Sequence, residues 1–262
     1  MKKYEELTIA DDFMFAKILQ NNPDLCKELL ELFLGKKIGE IVQLNKQLPI
    51  EITADGRGVR FDVYMEDDEN TIYEIEMQKT DESFLPQRSR YYQGMIDLNQ
   101  MERGAKFSEL KKSYIIFICL KNPYEAAGRH KYSFYTVCRE DETIELEDGA
   151  KKIFLSAQGS QNDVSDDLAA FLSYVAGNAP ASDLSRRLDD LVEKARSHKE
   201  WKVEYMTLLE RDERMREEGR VEGLKEGREE ERRNTERERC RADAAEEKVR
   251  QLTEQLAALR SK

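Results

Sequence analysis

The sequence predicts an α/β fold: a mixed central sheet flanked by helices, followed by further helices and a long charged C-terminal helix. Three observations carry this. Arg60-Phe61-Asp62-Val63-Tyr64 and Tyr73-Glu74-Ile75-Glu76-Met77-Gln78 alternate apolar and polar residues, the pattern of half-buried strands, and Asp67-Asp68-Glu69-Asn70 between them suits a hairpin turn. Tyr114-Ile115-Ile116-Phe117-Ile118-Cys119-Leu120 is a continuous apolar, β-rich run, which marks a strand covered on both faces. Segments with helical apolar spacing lie on either side of these strands.

The elements follow in order. A helix is expected from Phe13 to Gln20, with Asp11 or Asp12 placed to cap it. Asn22-Pro23 opens a second helix, with proline at the first helical position and Gly35 just past the last leucine. Leu25, Leu29, Leu32 and Phe33 form its apolar face. A strand is expected over Leu48 to Thr53, closed by the Ala54-Asp55-Gly56 turn, and then the hairpin. A helix from about Phe84 to Glu102 ends before Gly104. After the buried strand, His130 to Cys138 and Thr143 to Leu146 read as strands, and Asp148-Gly149 turns the chain into the strand Lys152-Ile153-Phe154-Leu155. Residues 165–198 read as two helices separated by Gly177-Asn178-Ala179-Pro180. Beyond Trp201 the chain becomes one charged helix, with Trp201, Tyr205, Leu208 and Leu209 expected to pack on the body.

Composition narrows the function classes. With 39% hydrophobic and 37% charged residues and a net charge of −11, the chain is not a globally basic DNA binder. The stretch from Lys79 to Lys131 is locally basic all the same, with ten Lys and Arg against six Asp and Glu, and phosphate contacts supply most non-specific nucleic-acid affinity. No apolar run is long enough for a membrane helix, and Met1-Lys2-Lys3-Tyr4 does not open a signal peptide, so a cytoplasmic protein is expected. The four cysteines lack CxxC spacing; Cys119 and Cys138 read as small core residues. His130 and His198 are too far apart for a zinc site.

Strand side chains alternate between faces. Phe61, Val63 and Met65 therefore share one face, with Tyr73, Ile75 and Met77. Asp62 and Tyr64 share the other, with Glu74, Glu76 and Gln78. Magnesium prefers oxygen ligands, needs only one or two carboxylates and keeps positions open for water and a phosphate oxygen. Carboxylates packed side by side repel, and a cation resolves that. An acidic sheet face simply left in water is the alternative.

Asp62 followed by a hairpin and Glu76-x-Gln78 resembles the PD-(D/E)xK nuclease core, with glutamine in place of the usual lysine. With Asp11-Asp12-Phe13 opening the first helix and Gln87-Arg88-Ser89-Arg90-Tyr91-Tyr92 the helix after the motif strand, residues 5–160 look like the bacterial recombination-promoting nuclease and transposase family. The resemblance implies a restriction-endonuclease-like core over 1–160, a helical extension over 161–209 and a charged helical or coiled-coil tail over 210–262. It implies a magnesium-dependent DNA endonuclease of low sequence specificity that promotes recombination, with manganese able to serve. Asp62, Glu76 and the Met77 carbonyl would hold the metal. Gln78 would position or help activate water, though without charge it stabilises developing phosphate charge less well. Asp12 and Glu74 would be accessory acids, Asp12 being equally readable as a cap and Glu74 as a rim residue. Gln87, Arg88, Arg90 and Tyr91 would contact DNA phosphate or brace the carboxylates by buried Arg–carboxylate pairing. Lys79 points to the opposite strand face, and Lys17 would reach in only if its helix end lies close.

The tail from Glu210 to Lys262 carries fifteen basic and sixteen acidic residues, and acids precede bases by helical spacing at Glu210–Arg214, Asp212–Arg216, Glu229–Arg233 and Glu246–Arg250. Gly219, Gly223 and Gly227 line one side and either admit a second helix or weaken the rod. Val249, Leu252, Leu256 and Leu259 form a short heptad-like stripe, so a homo-oligomer assembled through this helix is expected. Two non-catalytic alternatives remain: a degenerate nuclease fold that binds DNA or protein through its tail, and a coiled-coil protein with an incidental N-terminal domain.

Overall fold

The computed structural model describes residues 2–46, 49–50, 59–80, 84–124 and 128–260. The chain divides into two units, residues 1–202 and 203–262. In the first, helices α1 (Asp12–Asn21) and α2 (Pro23–Leu34) precede strands β1 (Ile41–Lys46), β2 (Pro49–Ile50), β3 (Val59–Arg60), β4 (Val63–Asp67) and β5 (Thr71–Gln78). Helix α3 (Leu85–Gln100) then leads to β6 (Lys112–Cys119), β7 (Lys131–Phe134), β8 (Ala150–Ser156) and helices α4 (Asp166–Val175) and α5 (Asp183–Arg196). A long helix, α6 (Lys199–Arg260), ends the chain. The α/β class read from the sequence is the class observed, and its order of elements agrees with a PD-(D/E)XK core.

Six strands form one mixed sheet in the order β1-β4-β5-β6-β8-β7, while β2 and β3 pair as a separate ribbon. β4 and β5 are antiparallel, whereas β5, β6 and β8 run parallel. Parallel neighbours need crossover helices, and these bury a central strand on both faces. All eight residues of β5 and seven of the eight in β6 are accordingly buried. On one face, Met65 meets Cys26 of α2 at 3.5 Å between sulfurs, and Phe33 of α2 packs on Phe171 of α4 with ring centroids 5.2 Å apart. On the other face, Tyr92, Met95 and Ile96 of α3 cover Ile115, Phe117 and Phe154. Phe117 stacks on Phe154 at 5.5 Å and 9°.

The hairpin has a buried tie that the alternation pattern does not reveal. Asp67 closes β4, and its Oδ1 accepts the N–H groups of Glu69 (3.1 Å) and Thr71 (2.8 Å) while Oδ2 accepts the Tyr73 hydroxyl (2.8 Å). Asn70 supplies the left-handed step, φ 57°, a conformation Asn tolerates better than most residues. Gly35 does the same at the end of α2, with φ 71°.

Several expectations are corrected. Phe61 does not lie with Val63 and Met65: β4 starts at Val63 and the chain bends at Asp62, so Phe61 packs instead against Tyr64 and Tyr92. The bend breaks the period of two. The acidic face is not solvated, because α3 lies over it. β1 went unread in the sequence. The expected strand over Leu48 to Thr53 is seen only as Pro49–Ile50, and its remainder and the Ala54-Asp55-Gly56 turn lie outside the described residues. Thr143 to Leu146 is not a strand but a loop touching Val137 through a single bridge at Glu145. Cys138 in the same loop is half-buried, not core, whereas Cys119 is buried.

In the second unit Tyr205, Leu208 and Leu209 are half-buried, and the helix from Glu210 to Gln251 is exposed, with ion pairs such as Glu229–Arg233 and Glu217–Arg220. Arg214 pairs with Glu218 and Arg250 with Glu247, not with the acids expected from the sequence. A Cβ at Gly219, Gly223 or Gly227 would meet nothing within 4 Å. Val249 is exposed, and the side chains of Leu252, Leu256 and Leu259 lie outside the described residues. Among the described residues no helix is long and apolar enough to cross a membrane.

Replacing Asp67 by alanine strands the Thr71 N–H and the Tyr73 hydroxyl in a buried corner, at about 1–3 kcal/mol each. Asp67→Ala is therefore expected to lower unfolding free energy by at least about 2 kcal/mol, read from denaturant midpoints, with Asp67→Asn falling between it and wild type. A loss near zero would contradict this reading of the turn.

Candidate active site

β5 sets the site. Its register places Glu74 beside Ile115, Glu76 beside Phe117 and Gln78 beside Cys119, all on the face that α3 covers. The three side chains are buried in consequence, Glu74 completely. Asp62 stands at the bend before β4, half-buried. Its carbonyl accepts from Gln20 of α1 at 3.3 Å, and its carboxylate Oδ2 accepts the Met77 N–H at 3.2 Å. β4 begins opposite Ile75, so the side of Met77 that faces it is released from the ladder. The next residue turns its carbonyl the other way, to Leu120 (2.8 Å) on the β6 side. The Met77 carbonyl thus points to the side on which Asp62 stands, since a strand residue's N–H and C=O share one side.

α3 brings the only cation that contacts this cluster among the described residues. Arg88 pairs through Nη2 with Glu76 Oε1, donates from Nη1 to Gln78 Oε1 (2.9 Å), and donates from Nε to the Tyr92 hydroxyl (2.9 Å). Tyr92 in turn donates to Glu76 Oε1 at 3.1 Å. The guanidinium lies 5.1 Å from the Tyr92 ring centroid and 5.7 Å from that of Phe117. Gln78 is also held at its other end, its amide donating to the Thr80 carbonyl at 2.8 Å.

Three carboxyls share that one guanidinium. Burial pushes Asp62 well above the usual carboxylate range and the neighbouring Glu76 adds to it; the Met77 N–H opposes. Glu74 is raised by burial and then by Glu76. Glu76 is raised by burial, with Arg88 pulling against it. No donor among the described residues reaches either Glu74 oxygen or Glu76 Oε2. Glu74 and Glu76 face each other, so a hydrogen bond between them forms only when one carries a proton. Burying such groups without compensation is costly, and a bound cation is one remedy. The donor set fits a hard divalent cation: Asp62 Oδ1, Glu76 Oε2 and the Met77 carbonyl are all oxygens not claimed by the contacts above. Among the described residues no group of three or more Asp, Glu, His or Cys side chains is placed to hold a metal ion. Two carboxylates and a carbonyl are what the chain offers.

The remaining predicted residues fall at different places. Asp12 is exposed on the first turn of α1 and pairs with Lys79 at 3.3 Å, and its charge still reaches Asp62. Lys79 also donates to Asp11 at 2.8 Å, so it is tied to α1 and not aimed at the carboxylates. Asp11 would be raised by burial, but the bonds from Lys79, the Thr8 N–H and Lys2 hold it below the usual range. Lys17 lies 5.7 Å from the Phe13 ring. Gln87, Arg90 and Tyr91 are exposed on α3. Of the four α3 residues, Arg88 alone enters the carboxylate cluster. Tyr92 and Gln20 were not singled out in the sequence. The four-residue spacing of Arg88 and Tyr92, which puts them on one helix face, was the available signal for Tyr92; Gln20 left none.

Removing Arg88 leaves Glu76 buried beside two other carboxyls. A fully buried pair broken on one side costs about 3–5 kcal/mol. Arg88 keeps 28% of its side chain exposed, so Arg88→Ala is expected to cost about 2–3 kcal/mol. Glu76→Gln in the same chain should recover most of that loss in a double-mutant cycle of unfolding free energies. Additive losses would show that Arg88 and Glu76 are not coupled.

A family model described as PD-(D/E)XK nuclease family transposase matches residues 10–169, more than half of the chain. No curated protein and no solved structure matched. The matched span holds α1, the hairpin and α3, and with them Asp62, Glu76, Gln78 and Arg88. On that match, this chain belongs to the PD-(D/E)XK nuclease family transposases.

Proposed function

We propose that the protein is a magnesium-dependent DNA endonuclease that hydrolyses phosphodiester bonds and so promotes DNA recombination. Manganese would serve in magnesium's place, and sequence specificity would be low. Nuclease-type hydrolysis follows from the family, whose members generally use divalent metal ions. The observation that carries the finer reading is the pair Asp62 and Glu76, both raised by burial and Asp62 further by the Glu76 charge, with no donor among the described residues reaching Glu76 Oε2.

Asp62, Glu76 and the Met77 carbonyl would hold the ion. When bound, it would supply a Lewis acid to the scissile phosphate and a more acidic water as nucleophile. The chain's own residues do the rest. Gln78, anchored to Thr80 and Arg88, is a fixed amide that orients the water but brings no charge. Arg88 supplies the positive charge at that corner and offsets the missing lysine in stabilising charge on the phosphate. Glu74, buried behind Glu76, and Asp12, held by Lys79, are accessory acids that set the field around Asp62. Gln87, Arg90 and Tyr91 form the outward face of α3, suited to tracking a DNA backbone. The charged helix over 210–262 serves self-association into a homo-oligomer, and the protein works in the cytoplasm.

A second reading, a degenerate nuclease fold retained for binding, is favoured by one observation. Arg88 and Tyr92 already satisfy one oxygen of Glu76, and Gln78 is bound at both ends. The two separate in one assay. Purified full-length protein with magnesium should nick supercoiled plasmid, and Asp62→Ala or Glu76→Gln should lower the rate by about 100-fold or more, the scale of losing one electrostatic stabiliser at a reaction centre. Equal rates for all three proteins, or none from wild type, would favour the binding reading.

A further inference from the structure

A cavity of about 220 Å³ opens at the carboxyl ends of β5 and β6, and Gln78 forms part of its wall. The other walls come from the first turn of α3, the segment after β6 and Phe154 of β8. In sheets with parallel strands, ligands bind in the crevice beyond the strand carboxyl ends. Gln78 sits on the same strand face as Glu76 and two residues further on, a step of about 7 Å at strand rise. A group attached to a phosphate at the carboxylates would therefore reach into this cavity.

The lining identifies the group. Tyr124 forms one side, and its ring is held in place by Tyr132 at 4.9 Å and edge-on by Phe154 at 6.1 Å. Pro86 and Pro123 add flat apolar surface. Asn122 Oδ1 accepts the Tyr124 N–H (3.1 Å) and the Tyr132 hydroxyl (3.3 Å), which leaves its amide hydrogens to offer to an acceptor in the cavity. Lys121 stands exposed at the rim, where a phosphate neighbouring the bound group would lie. The floor includes Cys119, whose thiol burial pushes up to about 12, so it stays neutral and unreactive. An aromatic wall, an amide donor and a cation at the mouth are the parts of a nucleobase site.

We propose that this cavity receives one unpaired nucleobase of the DNA strand that lies across Asp62 and Glu76, so that the preferred substrate has a single-stranded, bulged or flipped-out nucleotide beside the scissile phosphate. This rests on the nuclease reading for the position of the strand. Bases inside a duplex cannot enter a recess, and those already unpaired enter without the energy of unstacking. Stacking accepts any base, which accords with low sequence specificity.

The test uses the full chain, calcium in place of magnesium, and oligonucleotide duplexes carrying 2-aminopurine either fully paired or as a single bulge. Wild type should bind the bulged duplex about tenfold more tightly than the paired one, with at least a twofold change in 2-aminopurine emission. Tyr124→Ala should abolish the preference. Lys121→Glu, at an exposed position, should weaken bulge binding about tenfold and paired binding less than threefold; it keeps the test decisive if Tyr124→Ala misfolds. Equal affinity for the two duplexes, or a preference intact in both folded variants, overturns the proposal. Plasmid nicking judges catalysis separately: a wild type that prefers the bulge but cuts nothing sinks the nuclease reading alone, and one that nicks without preference sinks only the cavity.

Discussion

Three carboxyls and one guanidinium packed between a sheet and a helix set the terms for the rest of this domain. Glu74, Glu76 and Asp62 crowd one another, and Arg88 can balance only one negative charge. A buried ion pair is weak evidence of stability in its own right, since desolvation cancels much of the attraction. Here the surplus of acid over base makes the cluster more costly still. A domain tuned for stability alone would place apolar side chains on this face, as β6 does with Ile115 and Phe117 opposite the same helix. That the chain keeps acids there, with Arg88 and Tyr92 bonded to Glu76 and Arg88 held in turn by Gln78, is the physical argument for the proposal that the cluster serves chemistry.

The architecture around the cluster follows from that demand. β5 lies between an antiparallel and a parallel neighbour, and covering helices on both faces bury it throughout. β4 starts only at Val63, opposite Ile75, which frees the Met77 edge for the Asp62 carboxylate, while Gln20 at the end of α1 holds the Asp62 backbone. The first helix, the hairpin and the crossover helix thus each contribute one restraint to a single point. Precision here comes from regular elements and their ends.

Much of this was legible in the sequence, and the failures have physical causes. The alternation in Tyr73 to Gln78 and the unbroken apolar run of β6 are strong signals, because burial on a defined face dictates them directly. Glu76 and Gln78 shared a face as the period of two requires. Phe61 did not, because a bend at Asp62 resets the period, and bends leave no trace in an apolar/polar pattern. That α3 would cover the acidic face was equally hidden: its apolar residues are few, and Arg88 and Tyr92 contribute polar tips to the buried side. The loop around Thr143 looked like a strand because its β-branched residues imitate one, although in the structure Ile144 and Leu146 are exposed. Short-range pattern reads faces well and crossings poorly.

The central claim is that Asp62 and Glu76 form a divalent-cation site, and calorimetric titration of manganese into the metal-free protein tests it without recourse to cleavage. The account predicts saturable binding by wild type that is lost in Asp62→Asn and in Glu76→Gln, with both variants still folded by circular dichroism. No binding by wild type, or binding by either variant that matches it, would contradict the account.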